Sequence, residues 1–213
     1  IQHYAGRPLA LEDGDWTVAL AVGRALDMAR SVGGPSLPGL CRRPDGLRIK
    51  QERWTSWIVE RPFLDLVGLV AWVEERIREA DEATFGPGEV ERTRQYVERR
   101  LAAFAQADPT GRGDPTVLVL ESGVGLTEMY WAAGWELFAE LMAEHPGLVE
   151  EWLEARHHLE LRRVAAIADP ELVPIVLTYD DIAHKAGPLF SPDWLRTHWL
   201  PRLKRLVEAW HTR

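Results

Sequence analysis

The sequence predicts a single α/β domain built around a parallel β-sheet. Two continuous apolar segments, Thr116–Leu120 and Leu172–Thr178, are rich in β-branched residues and typical of strands that helices cover on both faces. Segments with helical periodicity precede, separate and follow them, and this alternation is characteristic of α/β proteins. The 213 residues are enough for one domain with a substantial core.

The first half of the chain combines predicted helices with a strand-like segment. Apolar residues at helical spacing predict three helices, over residues 16–29, 63–80 and 89–106. The segment Leu47–Val59 alternates polar and apolar residues and is rich in β-branched and aromatic types, so it predicts one strand or a two-stranded hairpin. Glycine and proline residues predict loops over residues 31–40 and 108–115.

Helices are also predicted around the two apolar strands of the second half, over residues 128–144, 148–167 and from 191 onward. Thr127 is expected to cap the first of these helices. The last has a strong start signal in Ser191-Pro192-Asp193, which supplies a capping serine, a proline at the first helical position and an acid at the positive end of the dipole. Pro201 predicts a kink in that helix.

Composition excludes several classes of protein. The formal net charge of −8 argues against nucleic acid as the main partner, and no apolar run of about 18 residues predicts a membrane span. The one cysteine, Cys41, excludes an internal disulfide and a multi-cysteine zinc site, so the cytoplasm is the expected compartment. Because the chain begins at Ile1 without methionine or a signal-peptide pattern, we expect that residues are missing at both ends.

The short motifs predict neither a nucleotide site nor a metal site. Gly111-Arg112-Gly113 and Gly123-Val124-Gly125 each lack the third glycine of a dinucleotide-binding loop, and Leu120 stands where the nucleophile elbow of a serine hydrolase needs glycine. Glu154 and His157 lie one helical turn apart, as in di-metal bundles, but those bundles need two such motifs. A solvated helix face is therefore the favoured interpretation, and no metal ligands are predicted within the chain.

A basic stretch covers the strand-like segment and its flanks. It consists of Arg42, Arg43, Arg48, Lys50, Arg53 and Arg61. The favoured interpretation is a solvated edge strand that its charges protect from aggregation. A contact for an anionic substrate or partner is the alternative.

Polar residues follow both apolar strands. Glu121 and Ser122 come after the first strand, and Tyr179-Asp180-Asp181 comes after the second. The carboxyl ends of parallel strands carry the site in barrels and in open sheets alike, so we predict a site here. Adjacent carboxylates repel each other and raise one pKa, which suits a proton donor or a cation site; the alternative is that one of them caps a turn. His184 and Lys185 in the same loop are further substrate-binding candidates.

Several motifs resemble the uroporphyrinogen decarboxylase superfamily, which also contains corrinoid-dependent methyltransferases. They are Asp114-Pro115-Thr116 with Glu121, Gly134-x-Glu136-x-Phe138, His145-Pro146, Tyr179-Asp180-Asp181, Gly187-Pro188-x-x-Ser191-Pro192 and Leu200-Pro201-Arg202-x-Lys204-Arg205-Leu206. The match is best over residues 110–213. It implies a partial (β/α)8 TIM barrel, in which residues 1–213 form one incomplete barrel domain with the middle units and without the first and last strands.

The resemblance implies catalytic roles for three residues. The family's aspartate and serine on this strand fall on Asp180 and Asp181, so aspartate stands where decarboxylases place serine, and the family's active-site tyrosine matches Tyr130. Glu121, Ser122, His184 and Lys185 would bind substrate. Two decarboxylase features are not found: the arginine motif that holds propionates would precede Ile1, and residues 28–40 contain no acid in place of the family's second acidic group.

The leading hypothesis is corrinoid-dependent methyl transfer, with zinc activating a thiol or similar acceptor and with zinc ligands expected beyond Arg213. The alternative is uroporphyrinogen decarboxylation, which would need Arg42, Arg43 and Arg48 near Asp181 to bind the carboxylates of the substrate. A third interpretation is a non-catalytic binding module. The expected partners are a small-molecule, tetrapyrrole or corrinoid substrate, a corrinoid protein, and a second copy of the chain, since an incomplete barrel exposes strand edges.

Overall fold

The computed structural model describes residues 2–30, 34–108 and 115–213 and has a mixed α/β fold, 54% helical with small sheets. The described residues form no closed barrel. Ile1, part of the predicted loop 31–40 and most of the predicted loop 108–115, including the glycine pair around Arg112, lie outside the described residues. No helix within the described ranges is both long and apolar enough to cross a membrane.

The helices are α1 (Gln2–Ala5), α2 (Asp15–Gly23), α3 (Leu66–Glu82), α4 (Pro87–Ala107), α5 (Leu126–Ala133), α6 (Trp135–Glu144), α7 (Pro146–Ile167), α8 (Pro192–Trp194) and α9 (Leu200–His211). The strands are β1 (Met28–Arg30), β2 (Gly39–Arg42), β3 (Arg48–Gln51), β4 (Ser56–Glu60), β5 (Val117–Ser122), β6 (Ile175–Thr178), β7 (Ala183–His184) and β8 (Gly187–Pro188). A π-helical turn, Leu195–Trp199, joins α8 to α9.

The predicted parallel sheet is confirmed and has one strand more than expected. Its order is β1-β5-β6, all strands are parallel, and Ala29 pairs with Leu118. The prediction of a helix through residue 29 is therefore wrong at its carboxyl end. Helix α2 stops at Gly23, and the next residues pair with β5 because pairing with a buried strand outweighs the local helical pattern.

In the described part of the chain, helices cover one face of this sheet. Ala29 and Leu118 belong to the core that α2 and α4 form on that face. Met28, Ile175 and Leu177 lie on the opposite face and are 58%, 43% and 39% exposed. The expectation of burial on both faces is thus confirmed for β5, in which Leu118 and Val119 on opposite faces are 1% and 3% exposed, and wrong for β6, whose apolar residues on this second face are open.

A separate antiparallel sheet of order β2-β3-β4 contains the predicted hairpin and much of the basic stretch. Its arginines are paired with acids in the same sheet: Arg42 and Arg48 both bond to Glu60, at 3.0 and 2.9 Å. Arg43 pairs with Asp45 at 2.8 Å in the turn between β2 and β3. These pairs agree with the solvated, charge-protected strand.

Two of the predicted helices are interrupted for identifiable backbone reasons. The single helix predicted over 128–144 is the pair α5 and α6, because Gly134 adopts a φ of +83° between them. The kink expected at Pro201 takes the form of the preceding π-helical turn. Proline has no N–H to donate one turn back, and the N–H of Leu200 instead bonds to the carbonyl of Leu195.

Candidate functional site

The two predicted aspartates lie where the segment after β6 meets the amino end of α5. Asp180 Oδ1 accepts a hydrogen bond from the N–H of Thr127 at 2.8 Å. Asp180 Oδ2 accepts from the N–H of Val124 at 3.2 Å and from the indole Nε1 of Trp199 at 2.8 Å. Asp180 therefore caps α5, which is the role predicted for Thr127, and both of its oxygens are engaged.

The pKa of Asp180 is raised, as expected, although the cause differs from the predicted repulsion by Asp181. Burial of the carboxylate is the largest contribution, and the charge of Glu128 adds to it. The hydrogen bonds from Trp199 and Thr127 act in the opposite direction. The site thus holds one half-buried carboxylate on neutral donors, with no arginine or lysine partner among the described residues.

Tyr130 and Asp181, two of the three residues for which the resemblance implies catalytic roles, are joined by a hydrogen bond to the Asp181 backbone. The Tyr130 hydroxyl donates to the carbonyl of Asp181 at 2.9 Å, and the N–H of Asp181 donates to the hydroxyl of Thr127 at 2.6 Å. Tyr130 is 2% exposed and stacks on Trp135 at 4.2 Å, and its burial raises the pKa of its hydroxyl. The Asp181 side chain is exposed and has no hydrogen-bond or ion-pair partner among the described residues. It is the carboxylate that remains available to a ligand.

The two polar residues at the carboxyl end of β5 are engaged in separate contacts. Ser122 is 2% exposed; its hydroxyl donates to Glu160 Oε1 at 2.5 Å and accepts from the indole of Trp210 at 2.9 Å. Glu121 forms an ion pair with Arg30 on the open face of the sheet. Ser122 therefore fixes α7 and α9 to the strand end, whereas Glu121 and Arg30 lie at the mouth of the open face.

A cleft of about 180 Å³ lies at the carboxyl end of β5. It is lined by Glu121, Ser122, Glu128, Arg156, Glu160, Arg163 and Tyr179, together with the loop 123–125 and Leu159. Asp180, Asp181 and Tyr130 are not among its lining residues. The volume is below the roughly 300 Å³ at which pockets for drug-sized ligands begin, so neither a tetrapyrrole nor a corrinoid fits within it.

Tyr179 closes one side of this cleft. Its hydroxyl donates to Glu128 Oε1 at 3.1 Å, and burial together with the charge of Glu128 raises its pKa to about 12. A Cβ on Gly123 would lie 2.7 Å from the carbonyl oxygen of Tyr179. The first glycine of the pair at 123 and 125 therefore permits contact between two loops, which is a packing role and not phosphate binding.

The other two predicted substrate-binding residues lie in the exposed β7–β8 hairpin, His184 at the end of β7 and Lys185 in the turn that follows. The His184 ring nitrogen Nδ1 accepts from the N–H of Ala186 at 3.1 Å. Lys185 is exposed. Within the described chain, no hydrogen bond or ion pair joins His184 or Lys185 to Asp180 or Asp181.

The Glu154 and His157 pair is not a solvated helix face, so that interpretation is wrong. Glu154 forms ion pairs with Arg202 at 2.5 Å and Arg205 at 3.0 Å, which link α7 to α9. His157 is 0% exposed, and burial lowers its pKa to about 4. No group of three or more histidine, cysteine or acidic side chains in the described part of the chain could hold a metal ion.

Sequence reasoning missed the residues of other elements that complete the site. These are Glu128 on α5, Glu160 and Arg163 on α7, and Trp199 and Trp210 at the end of the chain. Each lies on an ordinary helical pattern, and only the tertiary contact gives it a partner.

Comparisons of the chain with protein-family models, with curated proteins and with solved structures found no match. The family resemblance is thus carried by the sequence motifs alone.

Proposed function

We propose that the chain is part of a (β/α)8 barrel of the uroporphyrinogen decarboxylase superfamily and serves corrinoid-dependent methyl transfer. The observation that supports the barrel is the parallel sheet itself. Its strands follow one another in chain order, one face packs on helices, and the opposite apolar face is open. In a barrel that open face is the inner wall, and further strands complete it.

The roles proposed for the chain's own residues follow from their contacts. Asp181 presents its unpartnered carboxylate to substrate, where it binds a cationic group or exchanges a proton. Tyr130 and Asp180 are positioning residues: the tyrosine hydroxyl holds the Asp181 carbonyl, and the Asp180 carboxylate fixes the same segment to α5. Glu121 and Arg30 lie at the carboxyl ends of β5 and β1 on the open sheet face. They are the further substrate contacts in this proposal.

Neither cofactor fits the described residues by themselves. They contain no zinc ligand set, and the cleft at the end of β5 is too small for a corrinoid. No step is therefore assigned to either cofactor. A corrinoid would have to approach Asp181 from outside this cleft, along the open sheet face.

The observed ion pairs weigh against decarboxylation of a substrate with many carboxylates. Arg42 and Arg48 share Glu60 as their ion-pair partner, and Arg43 pairs with Asp45. In the described part of the chain none of the three contacts Asp181. The cluster of cations that an octacarboxylate needs is therefore not assembled around the proposed carboxylate.

The test is methyl transfer from methylcobalamin to a thiol, followed by the change in cobalamin absorbance. Asp181→Asn is expected to lower kcat by at least about tenfold, because it removes the ionisable oxygen of the site. Asp81→Asn, an exposed acid on α3, is the matched control and should leave kcat unchanged.

Three outcomes would contradict the proposal. Equal activity of the Asp181→Asn variant and the wild type removes Asp181 from the reaction. Turnover of uroporphyrinogen with release of CO₂, without turnover of methylcobalamin, favours the decarboxylase. Ligand binding without either reaction favours the non-catalytic module.

A further inference from the structure

A second cleft lies between α2 and α4, on the helical layer that covers the sheet. It encloses about 420 Å³, which is within the range of small-molecule sites. Its walls are formed by Asp15 and Trp16 of α2 and by Arg92, Tyr96, Arg99 and Arg100 of α4. None of these residues belongs to the site proposed for methyl transfer.

The cleft is positively charged although the chain is acidic. Among the described residues, three arginines and one aspartate give the lining a net charge of +2, whereas the whole chain carries −8. Arg100 is held in place, since its Nη2 lies 3.6 Å from Asp15 Oδ2 and its guanidinium lies over the Tyr96 ring at 4.5 Å. One cation of the cleft is therefore fixed by the protein itself.

The other two cations are available. Arg92 and Arg99 are exposed and have no carboxylate or carbonyl partner among the described residues, unlike nearly all the other described arginines. Seven residues apart on one helix, they lie on the same face and about 10 Å apart along the axis. Because arginine side chains are long, both guanidinium groups can reach one anion between them.

The charge and the walls together select the ligand. A phosphate monoester carries a charge between about −1.5 and −2 at pH 7, which matches the +2 of the lining, and it accepts paired hydrogen bonds from arginine. Trp16 is 37% exposed at the edge of the cleft and offers an indole face to a planar ring. We propose that this cleft binds a phosphate monoester that carries a planar ring, of the size of a nucleoside monophosphate.

The experiment titrates the 213-residue chain with AMP, adenosine and inorganic phosphate by calorimetry at physiological salt. AMP should bind with a Kd below about 1 mM, and adenosine and phosphate should each bind at least about tenfold more weakly. Adenosine binding as tightly as AMP overturns the anion site, and phosphate binding as tightly as AMP overturns the ring site. No saturation with AMP overturns the whole proposal.

Variants then locate the binding. Arg92→Ala and Arg99→Ala should each weaken AMP binding by at least about tenfold, and Trp16→Leu should weaken AMP binding without changing phosphate binding. Arg78→Ala is the matched control, because it removes the same charge from an exposed position on α3. An equal loss in this control shows general electrostatic attraction and overturns the assignment, whatever the activity of the methyl-transfer site.

Discussion

Asp180 illustrates how one side chain can resemble a catalytic acid in the sequence and serve as a structural cap in the fold. Its two oxygens accept three hydrogen bonds from neutral donors of three segments. In Asp180→Asn one acceptor oxygen becomes an NH2 group that faces these donors. We expect the free energy of unfolding to fall by about 1–3 kcal/mol, measured by urea denaturation.

The neighbouring residue is the control for this prediction. Asp181→Asn should change the free energy of unfolding by less than about 0.5 kcal/mol, because its side chain is exposed and no described residue bonds to it. If both variants lose the same stability, the distinction between a capping and an available carboxylate is wrong.

His157 makes stability depend on pH. It is fully buried beside Glu154 and His158 of its own helix and Arg202 and Arg205 of α9, and its pKa in the folded protein is about 4. The unfolded chain binds a proton near pH 6.5 and the folded chain does not. The contribution of His157 to the free energy of unfolding should therefore be fully present above pH 6.5. It should fall by up to about 1.4 kcal/mol per pH unit towards pH 4.

Urea denaturation of His157→Leu between pH 7.5 and pH 4.5 checks this expectation. The variant should lose much of the slope, because a leucine does not titrate. His211→Gln, at the exposed end of α9, should keep the slope of the wild type. An unchanged slope in His157→Leu would assign the acid sensitivity to other groups.

At the scale of elements, the contact between α7 and α9 depends on one buried arginine. The Arg202 side chain is 6% exposed and pairs with Glu150 at 2.6 Å and Glu154 at 2.5 Å. Arg202→Met removes one ion-pair partner from each glutamate, and the loss is moderated because Glu154 keeps Arg205 and both glutamates are partly exposed. We expect a decrease of about 2 kcal/mol in the free energy of unfolding.

Arg205→Met is the matched variant for this contact. Arg205 is 47% exposed, and its one ion-pair partner among the described residues is Glu154, so its loss should cost less than about 1 kcal/mol. Equal losses from the two arginines, measured by urea denaturation, would show that burial of the pair does not set its contribution.

The elements also show which local signals predict structure. The strands β5 and β6 were predictable because their apolar runs are continuous, and Ser191 caps α8 as expected, with its hydroxyl accepting from the N–H of Trp194 at 3.1 Å. Strand β1 was not predictable, because three residues carry no period and the strand depends on pairing with β5. The break at Gly134 was missed because the apolar spacing continues across it while its φ is positive.

The site was predictable only where a local sequence signal identifies its residues. Polar residues at strand ends identify Asp180 and Asp181, since the ends of parallel strands meet at one edge. The resemblance added Tyr130, whose hydroxyl bonds to the Asp181 backbone, but it did not specify that contact. The roles of Trp199 and Glu160 depend on how α7 and α9 lie across the strands, and no local pattern specifies that arrangement.

At the scale of the whole molecule, the open face of the parallel sheet exposes apolar surface that favours association. Met28, Ile175 and Leu177 expose apolar surface there, and among the described residues β1 and β6 each have one unpaired edge. Exposed apolar faces and strand edges promote association. The 213-residue chain should therefore self-associate as its concentration rises, measured by sedimentation velocity.

Substitution of the open face should reverse this association. Ile175→Lys combined with Leu177→Lys places two charges on the face and should shift the chain to the monomer while its helical circular dichroism is retained. Leu64→Lys is the control, because Leu64 is 96% exposed but lies outside the sheet. If Leu64→Lys dissociates the oligomer equally, or if the wild type stays monomeric at high concentration, the open sheet face does not drive association. The inner wall of a barrel would then lose its main physical support, since such a wall must pack against further strands to be stable.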